Sequence, residues 1–500
     1  MSNLAQAFRC LMVQGTTSDA GKSTLVAGLC RILARNNIHV APFKPQNMAL
    51  NSAVVSGGEI GRAQWLQALA AKTKPTVDMN PVLIKPASDI GAQIIVHGKA
   101  LSAMDAAEYH SYKPRALEYV VQSYDRLASE FEAIIVEGAG SPAEINLRKG
   151  DIANMGFAEH VDCPVILVAD IDKGGVFAHI VGTLALLSES EQNRVLGFVI
   201  NKFRGDISLL EGGLDWLEEK TGKPVFGVMP MIQNLKLDAE DAIETTQTHA
   251  NSETRLNICV PAIPRISNHT DFDALRYHPN VNFQFVGPHE TPPSCDLVIL
   301  PGSKSVIADM DWLKKQGWSE YLHRHLRYGG KILGICGGMQ MLGQSIHDPS
   351  LIEGNEVTCD GFRFLPIQTS MNKDKTLKQR SGTLCLDGKK VAVYGYEIHH
   401  GSTISDEAIA YLNVLENGEK EGFVSRDNNI AGSYLHGIFD TKEACNAILS
   451  WAGLSDNTSV DLAELRELSL EKLANAIEQH IDLNKLSDAL TLFWEGKDAS

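Results

Sequence analysis

Cys336 sits in Lys331-Ile-Leu-Gly-Ile-Cys-Gly-Gly-Met-Gln-Met-Leu-Gly343, where a short apolar run ends in Gly334-Ile335-Cys336-Gly337-Gly338 and opens into a helical pattern. Strand, tight turn and helix in that order form the layout of a nucleophile elbow, with cysteine in the place of serine. Glycines let the backbone turn sharply enough to push the thiol outward. At the positive end of a helix the thiolate form is favoured. A buried cysteine on a core strand would leave the same five residues, so the choice between the two falls on the rest of the chain.

A second constellation handles phosphate. The apolar run Phe8–Gln14 leads into Gly15-Thr16-Thr17-Ser18-Asp19-Ala20-Gly21-Lys22-Ser23-Thr24 and then an amphipathic helix to about Arg35. The backbone N–H groups of such a loop wrap phosphate oxygens, Lys22 reaches the outer phosphates of ATP, and the Ser23 hydroxyl suits Mg²⁺. Five residues separate Gly15 from Gly21, one more than in the common form of the loop. Glu137 closes the apolar run Ala133–Val136 and is placed to hold the metal directly or through water. Asp170 and Asp172 end the next strand, with Lys173 beside them. Asn201 ends another, where its amide matches the donor and acceptor of an adenine edge. Lys44, between two prolines, is placed to pair a substrate carboxylate or the phosphoryl group in transfer.

Two further segments bear on Cys336. Leu297-Val-Ile-Leu-Pro-Gly-Ser303 is a strand ending in a turn, and the Gly302 and Gly337 amides are expected to form an oxyanion hole. His436, in Ala431-Gly-Ser-Tyr-Leu-His-Gly437, ends a strand in the position a general base needs. Glu397, His399 and His400 are three more titratable groups without an assigned role.

Parallel-sheet elements must position these groups. Strands are expected at His39–Phe43, Ala133–Glu137, Pro164–Ala169, Val195–Ile200 and Pro224–Val228, and again at Leu256–Ile263, Asn282–Gly287, Leu297–Leu300 and Lys331–Ile335. The fold class is α/β with two parallel-sheet domains, a P-loop domain over 1–235 and a second over 254–445. An acidic, exposed linker is expected over 236–253, and a helical segment over 446–500 on the spacing of Leu462, Leu465 and Leu468 and of Leu483, Leu486 and Leu490.

Composition agrees with this class. Five hundred residues exceed one core. A net charge of −16 from 61 acidic and 45 basic residues argues against a nucleic-acid or membrane-surface partner. Nine cysteines without a C-x-x-C pair suit reduced thiols, and no segment reads as a signal peptide or membrane span, so a cytoplasmic protein is expected.

The P-loop, Lys44-Pro45-Gln46-Asn47-Met48, Pro81-Val-Leu-Ile-Lys-Pro86 and Glu137-Gly-Ala-Gly-Ser141 together resemble the cobyric acid synthase family over about residues 8 to 440. The first half of that family is similar to dethiobiotin synthetase. The second resembles the class I glutamine amidotransferases of the cysteine-triad kind. The resemblance implies ATP-dependent amidation, with glutamine as nitrogen donor, of the b, d, e and g carboxylates of a corrinoid, adenosylcobyrinic acid a,c-diamide. In most amidotransferases a Glu follows the histidine by two residues to orient it; here that position is Ile438. Arg62, Lys85, Arg148 and Lys173 are candidates for holding the corrin carboxylates. Two other readings share parts of the pattern: an a,c-diamide synthase acting earlier on the same ring, and a partition-type P-loop switch. The Thr-Thr-Ser-Asp loop and the Lys44–Met48 segment disfavour the first, and a P-loop start without lysine disfavours the second. The oligomeric state is left open.

Overall fold

The computed structural model describes residues 2–86, 91–238, 256–353, 357–455, 458 and 460–498. Six parallel strands form the first sheet, in the order Val225–Pro230, Val195–Phe203, Val165–Asp170, Cys10–Gly15, Ala133–Glu137, Val40–Phe43. Their runs of Val, Ile and Leu are buried on both faces, as parallel strands sandwiched by helices must be. Cys10–Gly15 is central, and the loops after it and its neighbours converge at the carboxyl edge where such sheets bind ligands. The first strand begins two residues later than expected, because Ser2–Ala7 is a helix packed on the end of the chain.

The second sheet runs Val281–Val286, Leu256–Pro261, Leu297–Leu300, Lys331–Ile335, Ile430–Ser433, Phe423–Val424, with only the last strand antiparallel. Beside it stands a long antiparallel hairpin, Ile367–Leu386 against Lys389–Ser405. A smaller sheet pairs Gln46–Met48 with Val82–Pro86, then Gly91–Val96 and Lys99–Asp105.

The chain end does not form a unit of its own. Lys442–Trp451 packs on the long hairpin, while Leu462–His480 and Leu483–Asp498 return to the first sheet. There Leu470, Leu473, Ile477, Leu486 and Leu490 join the core formed by Leu25, Leu29 and Leu33. Arg31, with no exposed surface, pairs with Glu467 at 2.6 Å and Glu471 at 3.1 Å.

The expected exposed linker is corrected at its start. Asp238 is buried between Arg62 and Arg466, each at 2.6 Å, because two guanidinium groups must share a carboxylate once they leave water. Residues 239–253 of that linker lie outside the described residues.

The two domains meet through reciprocal hydrogen bonds. The Ser52 N–H donates to Asn268 Oδ1 (3.0 Å) and the His269 N–H to Asn51 Oδ1 (3.1 Å). Gln379 adds a bond to the Val54 carbonyl (3.0 Å), and Val54 packs on Tyr396 and Ile398.

Candidate active site

The phosphate loop leaves the central strand at Gly15 and enters the Lys22–Arg35 helix at Gly21, whose φ of 99° excludes side chains. A Cβ there would also lie 2.1 Å from Asn201 Nδ2. Asn201 is therefore at the loop, where it donates to the Ala20 carbonyl at 2.9 Å. Lys22 curls over the loop and donates to the carbonyls of Thr17 (3.1 Å) and Ser18 (2.9 Å). Thr16 is buried beside it, its N–H donating to the Val168 carbonyl at 3.0 Å, and Thr24 follows Ser23 on the first helical turn.

Glu137 is the hub. Fully buried, it accepts from Ser23 Oγ at 2.7 Å and from Lys44 Nζ at 2.9 Å on one oxygen, and from Gln67 Nε2 at 2.6 Å on the other. Gln64, held by Asn47 at 3.0 Å, adds a weaker contact of 3.4 Å. A hydroxyl and a carboxylate converging beside a phosphate loop are hard oxygen donors of the kind Mg²⁺ takes. The acids farther along are engaged elsewhere: Asp170 with Lys202 (2.8 Å), Asp172 with Arg204 (2.7 Å), and Lys173 with Asp19 (3.0 Å).

Of the four basic residues considered for carboxylate binding, Arg62 is buried against Asp238, Lys85 against Glu59 at 2.5 Å, and Lys173 lies outside on Asp19. Arg148 alone lines the wide cavity beyond Glu137, and it is already bound to Glu191 and the Leu186 carbonyl.

In the second domain Cys336 has φ 50° and ψ −109°, a strained conformation for a residue with a side chain and the mark of an elbow nucleophile. His436 lies at the end of the neighbouring strand, its ring stacked on Tyr396 with centroids 5.4 Å apart. Its orienting partner is Asp271, missed in the sequence. Asp271 Oδ2 lies 2.7 Å from His436 Nδ1, and Oδ1 accepts from the Gly437 N–H at 2.9 Å. The acid comes from the short helix His269–Phe272, while Ile438 is buried in the core. A polar Asn-His-Thr-Asp-Phe-Asp run following an apolar strand was the available signal, but nothing in it points to a histidine 165 residues away.

Burial by itself would push His436 down. The charge of Asp271, then that of Cys336, with the hydrogen bond to Asp271, overrides it and carries the imidazole up to about 10. Among the described residues Nε2 makes no hydrogen bond. His399 and His400 are different. Burial pulls each to about 4, and their Nδ1 atoms lie at hydrogen-bond distance from the carbonyls of Gly401 (2.7 Å) and Asn372 (3.1 Å). Glu397 pairs with Arg380 at 2.6 Å. The strand-end turn divides its work: a Cβ on Gly302 would lie 2.9 Å from His436 Cε1, whereas the amide nitrogen nearest the Gly337 side is that of Ser303, 3.0 Å from a Cβ placed there.

The cavity at Cys336 encloses about 30 Å³, room for one water, and is lined from both domains by Leu50, Lys85, Lys304, Glu353, Lys375 and His400 among others. Beyond Glu137 lies a cavity of about 780 Å³ with a mainly apolar lining. A single strand divides them. Lys85 lines the first, while Ile84 and Pro86 line the second, as the alternation of a strand requires.

Comparison with known proteins agrees with both halves. Residues 11–243 match the CobQ/CobB/MinD/ParA nucleotide binding domain, and residues 257–444 match the CobB/CobQ-like glutamine amidotransferase domain. Among solved structures the chain is similar to PurLQS from Thermotoga maritima, at 14% identity over 44% of this chain and 99% of that one, with a TM-score of 0.30. It is also similar to a glutamine amidotransferase from Thermotoga maritima, at 15% identity over 49% and 98%, with a TM-score of 0.27. A nucleotide-binding domain joined to a glutamine amidotransferase domain makes this an ATP-dependent glutamine amidotransferase, a carbon–nitrogen ligase. The two halves carry the domains of CobB/CobQ-type amidotransferases of cobalamin biosynthesis, in the order found in cobyric acid synthases. Among the described residues no helix is long and apolar enough to cross a membrane.

Proposed function

We propose that the chain is a cobyric acid synthase, amidating the b, d, e and g carboxylates of adenosylcobyrinic acid a,c-diamide. The observation that carries this reading is the convergence of Ser23, Lys44 and Glu137 in front of a wide apolar cavity, in a chain that also holds Cys336, His436 and Asp271.

In the amidotransferase domain the Cys336 thiolate attacks the side-chain amide carbon of glutamine. The Gly337 amide and the turn at Gly302–Ser303 stabilise the oxyanion. Protonated His436, held by Asp271, gives its proton to the departing ammonia. It then takes a proton from the water that clears the glutamyl thioester, and glutamate leaves.

In the synthetase domain the phosphate loop and Lys22 hold ATP, with Asn201 on the adenine side. The acceptor carboxylate attacks the γ-phosphorus, ADP departs, and Lys44 offsets the charge on the phosphoryl oxygens. Ammonia then displaces phosphate from the acyl phosphate. Ser23 and Glu137 would hold Mg²⁺, which neutralises phosphate charge when bound.

Mass spectrometry of the product distinguishes this reading from the earlier-acting diamide synthase. Supplied with ATP and glutamine, the protein is expected to convert the a,c-diamide through four equal mass steps and to leave cobyrinic acid unchanged. Conversion of cobyrinic acid to its a,c-diamide, with no further step, would refute it.

A further inference from the structure

The 780 Å³ cavity has the volume of a pocket that encloses a sizeable ligand. Its position follows from the sheet order. Asn201 is on a strand to one side of the central Cys10–Gly15 strand, and the cavity opens beside Ala133–Glu137 on the other. A nucleotide stretched from Asn201 across the phosphate loop therefore points its outer phosphate toward the cavity.

Gln46 and Gly140, two and three residues beyond Lys44 and Glu137, form part of its wall, and Tyr109 fixes Gln46 with a hydrogen bond of 2.6 Å. Met48, Ile84, Ile94, Met104 and Leu147 make the wall apolar. Met48 is 58% and Leu147 57% exposed, so this is apolar surface kept in contact with water, the signature of a binding face. Lys113 also lines the cavity, half-buried and without a hydrogen bond or ion pair among the described residues.

We infer that this cavity is the acceptor site. A flat, largely apolar ring bearing peripheral carboxylates lies against the Met48–Leu147 wall. The carboxylate to be activated enters past Gly140 toward Lys44 and Glu137, and another pairs with Lys113. A small aliphatic acid would leave most of the apolar wall wet, which is the argument for a macrocycle. The inference rests on the corrinoid reading above and adds the residues that recognise the ring.

The test is binding of adenosylcobyrinic acid a,c-diamide to the 500-residue chain without nucleotide, followed by calorimetry and by the corrinoid absorption spectrum. Met48→Asp and Leu147→Asp are each expected to raise Kd about tenfold or more, and Lys113→Ala about threefold. Thermal midpoints should be unchanged, since all three side chains reach solvent. Leu147→Met, which keeps the apolar contact, should bind like the parent. Parent-like affinity in all three disruptive variants would overturn the placement while leaving the corrinoid reading intact. A parent protein that fails to bind the a,c-diamide at all would overturn the reading and the placement together.

Discussion

The cavity at Cys336 and the cavity beyond Glu137 are built on opposite lines. The first is small, closed between the domains and surrounded by Lys85, Lys304, Lys375 and Glu353. The second is larger, about 780 against 30 Å³, and mostly apolar. Charge in a closed space perturbs ionisation. Burial, then the nearby Lys375, draws Lys304 down to about 8, and burial lifts Glu353 to about 7 against the pull of Lys304. The difference matches what each site must handle. Ammonia released into bulk water is mostly protonated and loses its nucleophilicity, so its source profits from enclosure. A large acceptor needs width and an apolar wall.

Breaking one site while sparing the other tests this comparison. The largest effect is expected from Cys336→Ser: glutamine-dependent synthesis should fall by roughly 10³-fold or more, with ammonia-dependent synthesis retained. Loss of both would end the division of labour. Next comes Lys44→Ala, expected to lower synthesis by about 10²–10³-fold from either nitrogen source while glutamine hydrolysis persists. A comparable loss of hydrolysis would mean that the two sites are not separable.

Asp271→Asn should reduce glutamine hydrolysis about 10²-fold and leave ammonia-dependent synthesis untouched. It also carries a pH signature. The folded value of His436 is raised, so the pair with Asp271 stabilises the fold fully below the ordinary histidine value of about 6.5. That contribution is lost as pH rises through about 10. Denaturation at stepped pH should therefore show a stability gap between the parent and Asp271→Asn that is constant in acid and closes toward pH 10. A gap that widens with pH would mean that the imidazolium is not what Asp271 holds.

The smallest effect concerns the dividing strand. Burial draws Lys85 down to about 7, with Glu59 opposing and Lys375 reinforcing the shift. Lys85→Met is expected to raise glutamate formed per amide several-fold, on the order of 1 kcal/mol of lost coupling, with the steady rate of hydrolysis nearly kept. An unchanged ratio would remove Lys85 from the boundary.

Much of this was legible in the chain because short apolar runs end in reactive residues. Ala133–Glu137, Leu297–Leu300 and Lys331–Ile335 are strands with the limits expected, each closed by a polar or glycine-rich turn. The long hairpin over 367–405 was not legible. Its first strand, with Asn372-Lys-Asp-Lys375 and Lys378-Gln-Arg380, is too polar and too exposed to show a period of two. Asp238 was misread because an acidic neighbourhood looks solvated, and its two arginine partners are 176 and 228 residues away. Asp271 was invisible for the same reason of distance. Its carboxylate takes the role usually given to a residue two places after the histidine, and only folding brings the two together. Even so, the 268–271 turn is tied to Asn51 and Ser52 of the other domain, so the acid that holds His436 is itself positioned from the synthetase side.

Nitrogen released at Cys336 is expected to be consumed at Glu137 and Lys44 of the same chain. Glutamine labelled with ¹⁵N in its amide, mixed with excess unlabelled ammonium, ATP and adenosylcobyrinic acid a,c-diamide, tests it directly by product mass. The amides formed are expected to carry the label almost undiluted, with one glutamate and one ADP for each. Product diluted to the isotopic composition of the bulk ammonium would contradict it.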